Sequence, residues 1–196
     1  MGVRAGEQEH RRRFHGALEM LRSPGRVELL EVPRVVALCL AGIAARTVLD
    51  VGTGSGIFAE GFAARGLGVT AVDANPAMLD MARRYVPGAQ FDLAPAEAIP
   101  YSDGAADLVF LGLVLHETDD PLQALKEARR VARQRVAVLE WPYGDTEHGP
   151  PLAYRLQPER IAELAQKVGF SRVATLPLSH LVLYHLTEGA GQKEGE

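Results

Sequence analysis

The sequence has little of what several classes of protein require. Its 196 residues include a single cysteine, Cys39, so neither a disulfide framework nor a thiolate metal cluster is expected. The longest apolar run, Val35 to Ala45, is shorter than the roughly 20 residues of a membrane-spanning helix. The basic run Arg11–Arg13 is followed by no signal-type apolar segment. These absences favour a cytoplasmic enzyme or binding protein with no membrane partner.

Positive charge is also scarce. The chain has 21 Lys and Arg against 25 Asp and Glu, a formal net charge of −4. No overall positive field therefore draws it to nucleic acid, although a local basic patch would suffice. Apart from His116, which is discussed below, the histidines show no spacing typical of metal ligands, and we predict no metal site. These histidines are His10, His15, His148, His180 and His185.

Short β-type runs alternate with helical ones, a pattern typical of a parallel sheet covered by helices. The predicted strands are Thr47–Val51, Gly68–Asp73, Ala89–Leu93, Ala106–Leu111 and Arg135–Trp141. The predicted helices are Ile57–Arg65, Pro76–Tyr85, Pro121–Ala132 and one that opens at Pro158 and is closed by Gly169.

Near the end of the chain, two predicted strands follow each other without a helix between them. Val173–Leu178 and Leu181–Leu186 are separated by two residues, which predicts an antiparallel hairpin. We expect one domain over residues 1–188, with an N-terminal helical cap at 1–45 and a cofactor-binding core at 46–188. Residues 189–196 are polar and glycine-rich, and we expect a flexible tail.

The stretch TVLDVGTGSG, residues 47–56, leaves a strand and enters a helix through three alternating glycines. Glycines let a ligand approach the backbone, and the helix that follows presents free N–H groups. A mononucleotide P-loop would need a Gly-Lys-Ser/Thr ending, which is missing here. The dinucleotide motif G-x-G-x-x-G is not matched when it is counted from Gly52. Counted from Gly54 it is matched in the looser form that accepts alanine, here Ala59, at the last position, so the spacing alone does not exclude a dinucleotide ligand.

Two carboxylates narrow the choice of ligand. Asp50 precedes the glycines, where it would repel a pyrophosphate but attract a cationic group. Asp73 ends the next strand, where it can accept hydrogen bonds from both hydroxyls of a ribose. Adenosine with a charged amino-acid tail satisfies both, and S-adenosylmethionine is such a ligand.

At these residues the sequence resembles a known family. DVGTGSG is similar to the cofactor loop of the class I S-adenosylmethionine-dependent methyltransferases, and VTAVDANPAMLDMAR to their second motif. FDLAPAEAIPYSDGAADLVFLGLVLHETDDP resembles later regions of the type 11 group, which includes quinone-biosynthesis enzymes. The resemblance implies an α/β Rossmann-like fold: a seven-stranded, mostly parallel sheet with helices on both faces and a C-terminal antiparallel hairpin. The segment from Trp141 to Phe170 is similar to small members without a large substrate domain.

The resemblance also implies a cofactor, S-adenosyl-L-methionine, with S-adenosyl-L-homocysteine as product. Asp50 would lie near its methionine end, Asp73 would hold the ribose, and the acceptor would be a small molecule. Pro95 stands where the family often has an acid, so Asp92, Glu97 or backbone would replace that adenine contact. The full set of predicted cofactor-binding residues is Asp50, Gly52, Thr53, Gly54, Gly56, Asp73, Ala74, Met78, Ala96, Glu97 and Leu111.

Two alternatives remain open at this point. A non-catalytic module would bind the cofactor without turnover, and an NAD-dependent oxidoreductase would use the register that ends at Ala59. The sequence names neither the methyl acceptor nor the oligomeric state.

The best candidate for a general base is His116, just past the fourth strand, where ligands of open parallel sheets bind. From the sequence alone we favour the other interpretation, a histidine that hydrogen-bonds the loop before Asp119, and Glu117 is similarly ambiguous. We expect the N-terminal helices and the Trp141–Arg155 loop to build the acceptor pocket. Trp141, Tyr143 and Tyr154 either form aromatic walls of this pocket or only cover the edge of the sheet. Arg11–Arg13 is either a solvated helix face or a lid for an anionic acceptor.

Overall fold

The computed structural model describes residues 18–188. The N-terminal basic segment, His10, His15 and the predicted tail at 189–196 lie outside this range. Within it, none of the helices is long and apolar enough to cross a membrane.

The core of the protein is one seven-stranded sheet with the strand order β3-β2-β1-β4-β5-β7-β6. Strand β7 is antiparallel to both of its neighbours, and the other pairs are parallel. This confirms the predicted fold class, including the C-terminal antiparallel hairpin. The strands are β1 Thr47–Val51, β2 Gly68–Asp73, β3 Gln90–Leu93, β4 Ala106–Gly112, β5 Ala132–Glu140, β6 Arg172–Pro177 and β7 Val182–Thr187.

Helices cover the sheet on both faces. The two apolar cores that they form draw on alternate residues of β4, because successive side chains of a strand point to opposite faces. Val109 and Leu111 belong to one core, and Leu108 and Phe110 to the other. The helices are α1 Pro24–Leu29, α2 Val32–Leu40, α3 Ile57–Ala63, α4 Pro76–Tyr85, α5 Pro121–Val131 and α6 Pro158–Lys167. Three short 3₁₀ segments are Leu18–Arg22, Leu115–Glu117 and Leu152–Tyr154.

Several strand boundaries differ from the prediction, and all of them except the start of β5 differ by one residue. Strand β5 begins at Ala132 rather than Arg135 because Ala132 already pairs with Ala106 across a register shift in β4. The polar residues at its start are held by β4, since Arg133 Nε donates to Asp107 Oδ1 at 2.9 Å. Strand β4 runs to Gly112, one residue further than predicted.

The topology brings several chain segments to one edge of the sheet. Strands β1, β2, β4 and β5 are parallel, so their carboxyl ends share that edge. Open α/β sheets bind ligands there, where the strand order reverses. The glycine loop follows β1, Asp73 ends β2, and His116 and Trp141 follow β4 and β5.

Candidate active site

A cavity of about 790 Å³ lies at this edge. Small-molecule sites typically measure roughly 300–1,000 Å³, so this one can hold a cofactor and a modest acceptor. Its walls come from the glycine loop, the ends of β2 and β4, the segment 94–97, and Trp141 with Gly149 and Pro150. Leu21, Arg26 and Leu30 from the N-terminal helical segments also line it.

The start of the glycine loop is hydrogen-bonded to the end of β2. The N–H groups of Gly52 and Thr53 both donate to the carbonyl of Val72, at 2.8 and 3.0 Å. Gly52 has φ +66°, and a Cβ there would lie 2.4 Å from Val114 Cγ2. Glycine at this position therefore serves the packing of the loop against the segment after β4.

Gly54 has a different reason to be glycine. Its φ is +54°, and a Cβ built there would meet no atom of the described residues within 4 Å, although the residue lines the cavity. The N–H of Gly54 donates to Asp73 Oδ2 at 2.8 Å. The hydrogen bond to Asp73 holds the loop in place. Because Gly54 has no side chain, its backbone is accessible from the cavity, so a ligand can approach it closely.

Two predicted cofactor residues lie elsewhere. Gly56, the residue before α3, has φ +76°, and a Cβ there would lie 2.9 Å from Ala82 Cβ, so its lack of a side chain lets α3 pack against α4. Leu111 is fully buried in the core. Because β4 continues to Gly112, the residues at its end that line the cavity are Gly112, Leu113 and Val114.

Two carboxylates border the glycine loop: Asp50 is buried, and Asp73 is partly buried. Asp50 is 1% exposed, and its Oδ2 accepts a hydrogen bond from Thr53 Oγ1 at 2.7 Å. Burial raises the pKa of Asp50 to about 7; the Thr53 hydrogen bond opposes this rise, and the charge of Asp73 adds to it. Burial also raises the pKa of Asp73, against the hydrogen bonds from the N–H groups of Asn75 and Gly54. A cationic ligand would relieve this arrangement of neighbouring acids.

The adenine end predicted from the family is lined by Ala74, Met78, Ala96 and Glu97. Glu97 Oε1 accepts hydrogen bonds from the N–H groups of Asp119 and Asp120, at 2.9 and 3.3 Å. Glu97 thus ties the segment after β3 to the loop before α5.

Asp92 was the other acid considered for the adenine contact. It accepts hydrogen bonds from Gln90 Nε2 and Tyr101 Oη, and it is not among the described residues that line the cavity. Of the two acids proposed to replace the family's missing one at Pro95, only Glu97 reaches the cavity.

His116 is part of a buried pair that the sequence did not predict. Its Nδ1 lies 2.7 Å from Glu140 Oε2, and its backbone N–H donates to Glu140 Oε1 at 3.1 Å. His116 and Glu140 are 6% and 1% exposed. Burial opposes the charged imidazole, but the charge and hydrogen bond of Glu140, with Glu117, outweigh it and raise the pKa of His116; Arg155 acts in the opposite sense.

The backbone before His116 is strained. Leu113 has φ +60°, a left-handed conformation that costs a non-glycine residue about 1 kcal/mol or more. Its N–H donates to the carbonyl of Leu139 at 2.8 Å. Such strain is often found at functional sites, and here the turn leads the chain from β4 to His116.

Of the three candidate aromatic walls, Trp141 lines the cavity. A Cβ on Gly149 would lie 2.6 Å from its ring, so the loop backbone packs directly on the indole. Tyr143 is 43% exposed, and neither it nor Tyr154 is among the described lining residues. The N-terminal helical segments and this loop both contribute to the cavity; that they form the acceptor pocket stays a prediction.

Arg155 holds that loop together, a role that the sequence did not reveal. The residue is buried, and its guanidinium donates to five oxygens of one short segment. The acceptors are the carbonyls of Pro142, Gly144, His148 and Pro150, and Thr146 Oγ1. Arg155 thus bridges the segment 142–150, which includes the lining residues Gly149 and Pro150.

Comparisons with known proteins identify the domain. Residues 49–139 match the family model of the type 11 methyltransferase domain. These residues belong to that family. The match confirms the resemblance to the class I S-adenosylmethionine-dependent methyltransferases, whose cofactor is S-adenosylmethionine.

Individual relatives agree with this assignment. The methyltransferase domain is 42% identical over 90 residues to an uncharacterized methyltransferase of Mycobacterium tuberculosis, covering 46% of this chain and 37% of that protein. It is 30% identical over 117 residues to the demethylmenaquinone methyltransferase of Renibacterium salmoninarum, covering 60% of this chain and 49% of that protein. The chain thus spans less than half of either relative.

A solved structure shares the fold. The crystal structure of an S-adenosylmethionine-dependent methyltransferase from Aquifex aeolicus superposes with a TM-score of 0.74 at 24% identity. The alignment covers 86% of this chain and 95% of that one.

The residues present in the methyltransferase domain suit this cofactor. The open space beside Gly54 leaves room for it against the loop backbone. Each carboxylate oxygen of Asp73 accepts one backbone N–H, from Gly54 or Asn75, at 2.8 Å. Since a carboxylate offers about four acceptor sites, both oxygens can also receive a ribose hydroxyl. Asp50 supplies a buried acid for an ammonium group.

The raised pKa of Asp50 leads to a prediction for binding. If an ammonium group lies beside this carboxylate, the complex favours its ionised form, so binding below about pH 7 releases a proton. We expect the affinity for S-adenosylhomocysteine to rise with pH from 5 to 7 and to level off above about 8. Calorimetry in buffers of different ionisation enthalpy measures the released proton. A pH-independent affinity would contradict the role of Asp50.

The variant Asp50→Asn gives the matching test of stability. An acid whose pKa is raised on folding stabilises the fold below its unfolded pKa and loses that contribution as pH rises through about 7. The variant should therefore melt at a higher temperature than the wild type at pH 8 in the absence of ligand. It should bind S-adenosylhomocysteine about tenfold more weakly, with a flat pH dependence. Equal melting temperatures at pH 8 would mean that Asp50 carries no such strain.

Proposed function

We propose that this protein transfers a methyl group from S-adenosylmethionine to a small-molecule acceptor. The observation that carries the proposal is the bare backbone of Gly54, tethered to Asp73 at the wall of a cavity that continues to His116. The described N-terminal segments are short, and the longest has nine residues. They can line a pocket, but they give little protein with which to grip a macromolecule.

The cofactor residues take the roles that the family implies. Asp50 attracts the ammonium group, Asp73 accepts the ribose hydroxyls, and Ala74, Met78 and Ala96 pack around the adenine. S-adenosylmethionine supplies a methyl group on a sulfonium, which is already activated for displacement. The protein therefore mainly has to align the acceptor and exclude water.

His116 is the group that we propose for proton transfer. It lies on the cavity wall beyond the end of β4, and its imidazole is buried apart from that face. The pKa of His116 is raised, which makes its imidazole a better proton acceptor near neutral pH. The structure thus favours the catalytic interpretation over the one that we preferred from the sequence.

The acceptor has apolar surroundings. Trp141, Leu113 and Pro150 line the cavity, and Leu21 and Leu30 also contribute to the lining. The relative from Renibacterium is named for a quinone acceptor, demethylmenaquinone, which also has an apolar body. For this chain we propose a small acceptor with an apolar body, without extending that relative's substrate to it.

The activity can be tested without knowing the acceptor. Incubating the protein with methyl-labelled S-adenosylmethionine and a small-molecule metabolite extract should give a labelled product and an equal amount of S-adenosylhomocysteine. The variant Gly54→Ala, whose methyl group intrudes on the cofactor space, should give much less of both at a cofactor concentration that does not saturate the wild type. Tight binding of S-adenosylhomocysteine without any labelled product would instead indicate a binding module, and the proposed activity would be wrong.

A further inference from the structure

The pairing of His116 with Glu140 says more about the acceptor. We infer that Glu140 is a positioning residue: it holds the His116 imidazole with its proton on Nδ1, so that Nε2 takes the proton of a phenol-like hydroxyl on the acceptor. This inference rests on the proposed methyl transfer, but the role of Glu140 can be measured apart from it.

The first step is the orientation of the ring. Glu140 ends β5 and accepts two hydrogen bonds from one residue, the backbone N–H of His116 at 3.1 Å and Nδ1 at 2.7 Å. A carboxylate can only accept, so the proton between them belongs to Nδ1 in the neutral ring. The other nitrogen, Nε2, is then left with a lone pair.

The second step is the direction in which Nε2 lies. Glu140 is not among the described residues of the cavity wall, whereas His116 and Glu117 both are. Nε2 is 3.9 Å from Glu117 Oε1. The nitrogen with the lone pair is therefore on the cavity side of the ring, and the protonated nitrogen faces the interior.

The charges around the imidazole come from several elements. Glu140 on β5 and Glu117 beside it favour the protonated ring, whereas Arg155, in the loop after β5, disfavours it. Tyr184 on β7 also interacts electrostatically with Glu140. Burial raises the pKa of Tyr184 to about 12, and the charge of Glu140 adds to this rise. The two carboxylates outweigh Arg155, so the ring is a stronger base than a free imidazole.

A base in this position can assist methyl transfer to a hydroxyl group. The proton of the acceptor hydroxyl moves to Nε2, and an oxygen lone pair forms the new bond to the methyl carbon. The carbon–sulfur bond breaks, its electron pair stays on sulfur, and the sulfonium charge is neutralised. The ring ends as imidazolium, which Glu140 stabilises, and returns its proton to water when the products leave.

Arg26, another residue of the cavity wall, bears on whether the acceptor is a hydroxyl or an amine. Arg26 lines the cavity, its Nε is buried, and that atom has no hydrogen-bond partner among residues 18–188. Arg26 also interacts electrostatically with Glu117, whose Oε1 lies 3.9 Å from His116 Nε2. In a cavity that contains this guanidinium, an oxyanion developing from a hydroxyl is attracted to it and an ammonium group is repelled. A phenol, with a pKa near 10, lies within reach of a histidine base, and its ring suits the apolar walls.

The role of Glu140 is tested by nuclear magnetic resonance on the full chain labelled with ¹⁵N-histidine. His116 is assigned from the resonance that His116→Gln removes. We expect the neutral ring to carry its proton on Nδ1 and its pKa to lie above the ordinary value of about 6.5. In Glu140→Gln the pKa should fall. In the control Glu117→Gln the tautomer should be kept, because Glu117 is 3.9 Å from Nε2 and does not bond Nδ1.

The fold of each variant is checked by its binding of S-adenosylhomocysteine, which should match the wild type. A proton on Nε2 in the neutral wild-type ring would overturn the inference. So would an unchanged His116 pKa in a Glu140→Gln protein that still binds the ligand.

The acceptor class is tested with a matched pair of probes, 4-propylphenol and 4-propylbenzylamine, and labelled S-adenosylmethionine. We expect the phenol alone to be methylated. Glu140→Gln should lower kcat about tenfold, keep KM, and move the rise of kcat/KM to lower pH. Methylation of the amine rather than the phenol would overturn the hydroxyl assignment. An Nδ1-protonated His116 in a protein that methylates no compound at all would overturn the proposed function but not the positioning role.

Discussion

Replacing Asp73 by alanine is expected to weaken the binding of S-adenosylhomocysteine about 100-fold. The carboxylate accepts the N–H groups of Gly54 and Asn75, both at 2.8 Å, and would accept two ribose hydroxyls as well. The substitution removes the tether of the glycine loop together with the ribose contacts. Hydrogen bonds to a charged group contribute about 1.5 to 3 kcal/mol each, so losing two of them accounts for about 3 kcal/mol or more.

The loop tether and the ribose contact can be separated with a second ligand. The wild type should prefer S-adenosylhomocysteine to its 2′,3′-dideoxy analogue, and Asp73→Ala should bind both alike. The control is Asp92→Ala, an aspartate on the neighbouring strand that pairs with Val72 and lies outside the described cavity lining. We expect its affinity to stay within about twofold of the wild type. If Asp73→Ala kept the preference for the hydroxylated ligand, the ribose would be held elsewhere.

Replacing Gly54 by alanine should have a comparable effect for a different reason. The added methyl group meets no atom of the described residues, so it projects into the space that the cofactor would fill. Forcing a methyl group into a well-packed contact costs about 1 to 3 kcal/mol, which corresponds to a loss of affinity of roughly 10- to 100-fold. The left-handed φ of +54° adds about 1 kcal/mol of instability to the free protein.

Gly66→Ala is the matched control for Gly54→Ala. Gly66 follows α3 with φ +82°, and a methyl group added there would also have no described atom within 4 Å. Unlike Gly54, it is not among the described lining residues. Both variants should melt a few degrees below the wild type, since about 1 kcal/mol lowers the melting temperature by that amount. Only Gly54→Ala should lose affinity, as measured by calorimetry. A similar loss in both variants would point to a general loosening of the protein.

The fold was predictable because its signals are local. Buried strands such as Thr47–Val51 are short apolar runs, and proline and glycine mark the ends of helices. The largest boundary error, at the start of β5, depends on pairing with another strand: Ala132 joins β5 because Ala106 is opposite to it. Sequence periodicity does not report such a partner.

Gly54, Asp50 and Asp73 were expected at the site from their own chemistry, and all three line the cavity; their contacts with a ligand stay predictions. The site was not predictable where the role depends on a distant contact. Glu140 lies within the predicted strand Arg135–Trp141 and gave no functional signal, yet its side chain contacts His116, 24 residues earlier in the chain. Arg155 likewise gave no signal, because its acceptors are backbone carbonyls, which every sequence has. The third glycine of the loop, Gly56, is explained by a contact with Ala82.

We expect the cavity lined by Asp50, Gly54 and Asp73 to bind S-adenosylmethionine rather than a dinucleotide. The most direct measurement is calorimetric titration of the full chain at pH 8 with S-adenosylhomocysteine and, separately, with NAD⁺. We predict one binding site for S-adenosylhomocysteine, with an affinity that falls about 100-fold in Asp73→Ala, and no heat of binding for NAD⁺. Binding of NAD⁺ without binding of S-adenosylhomocysteine would contradict it.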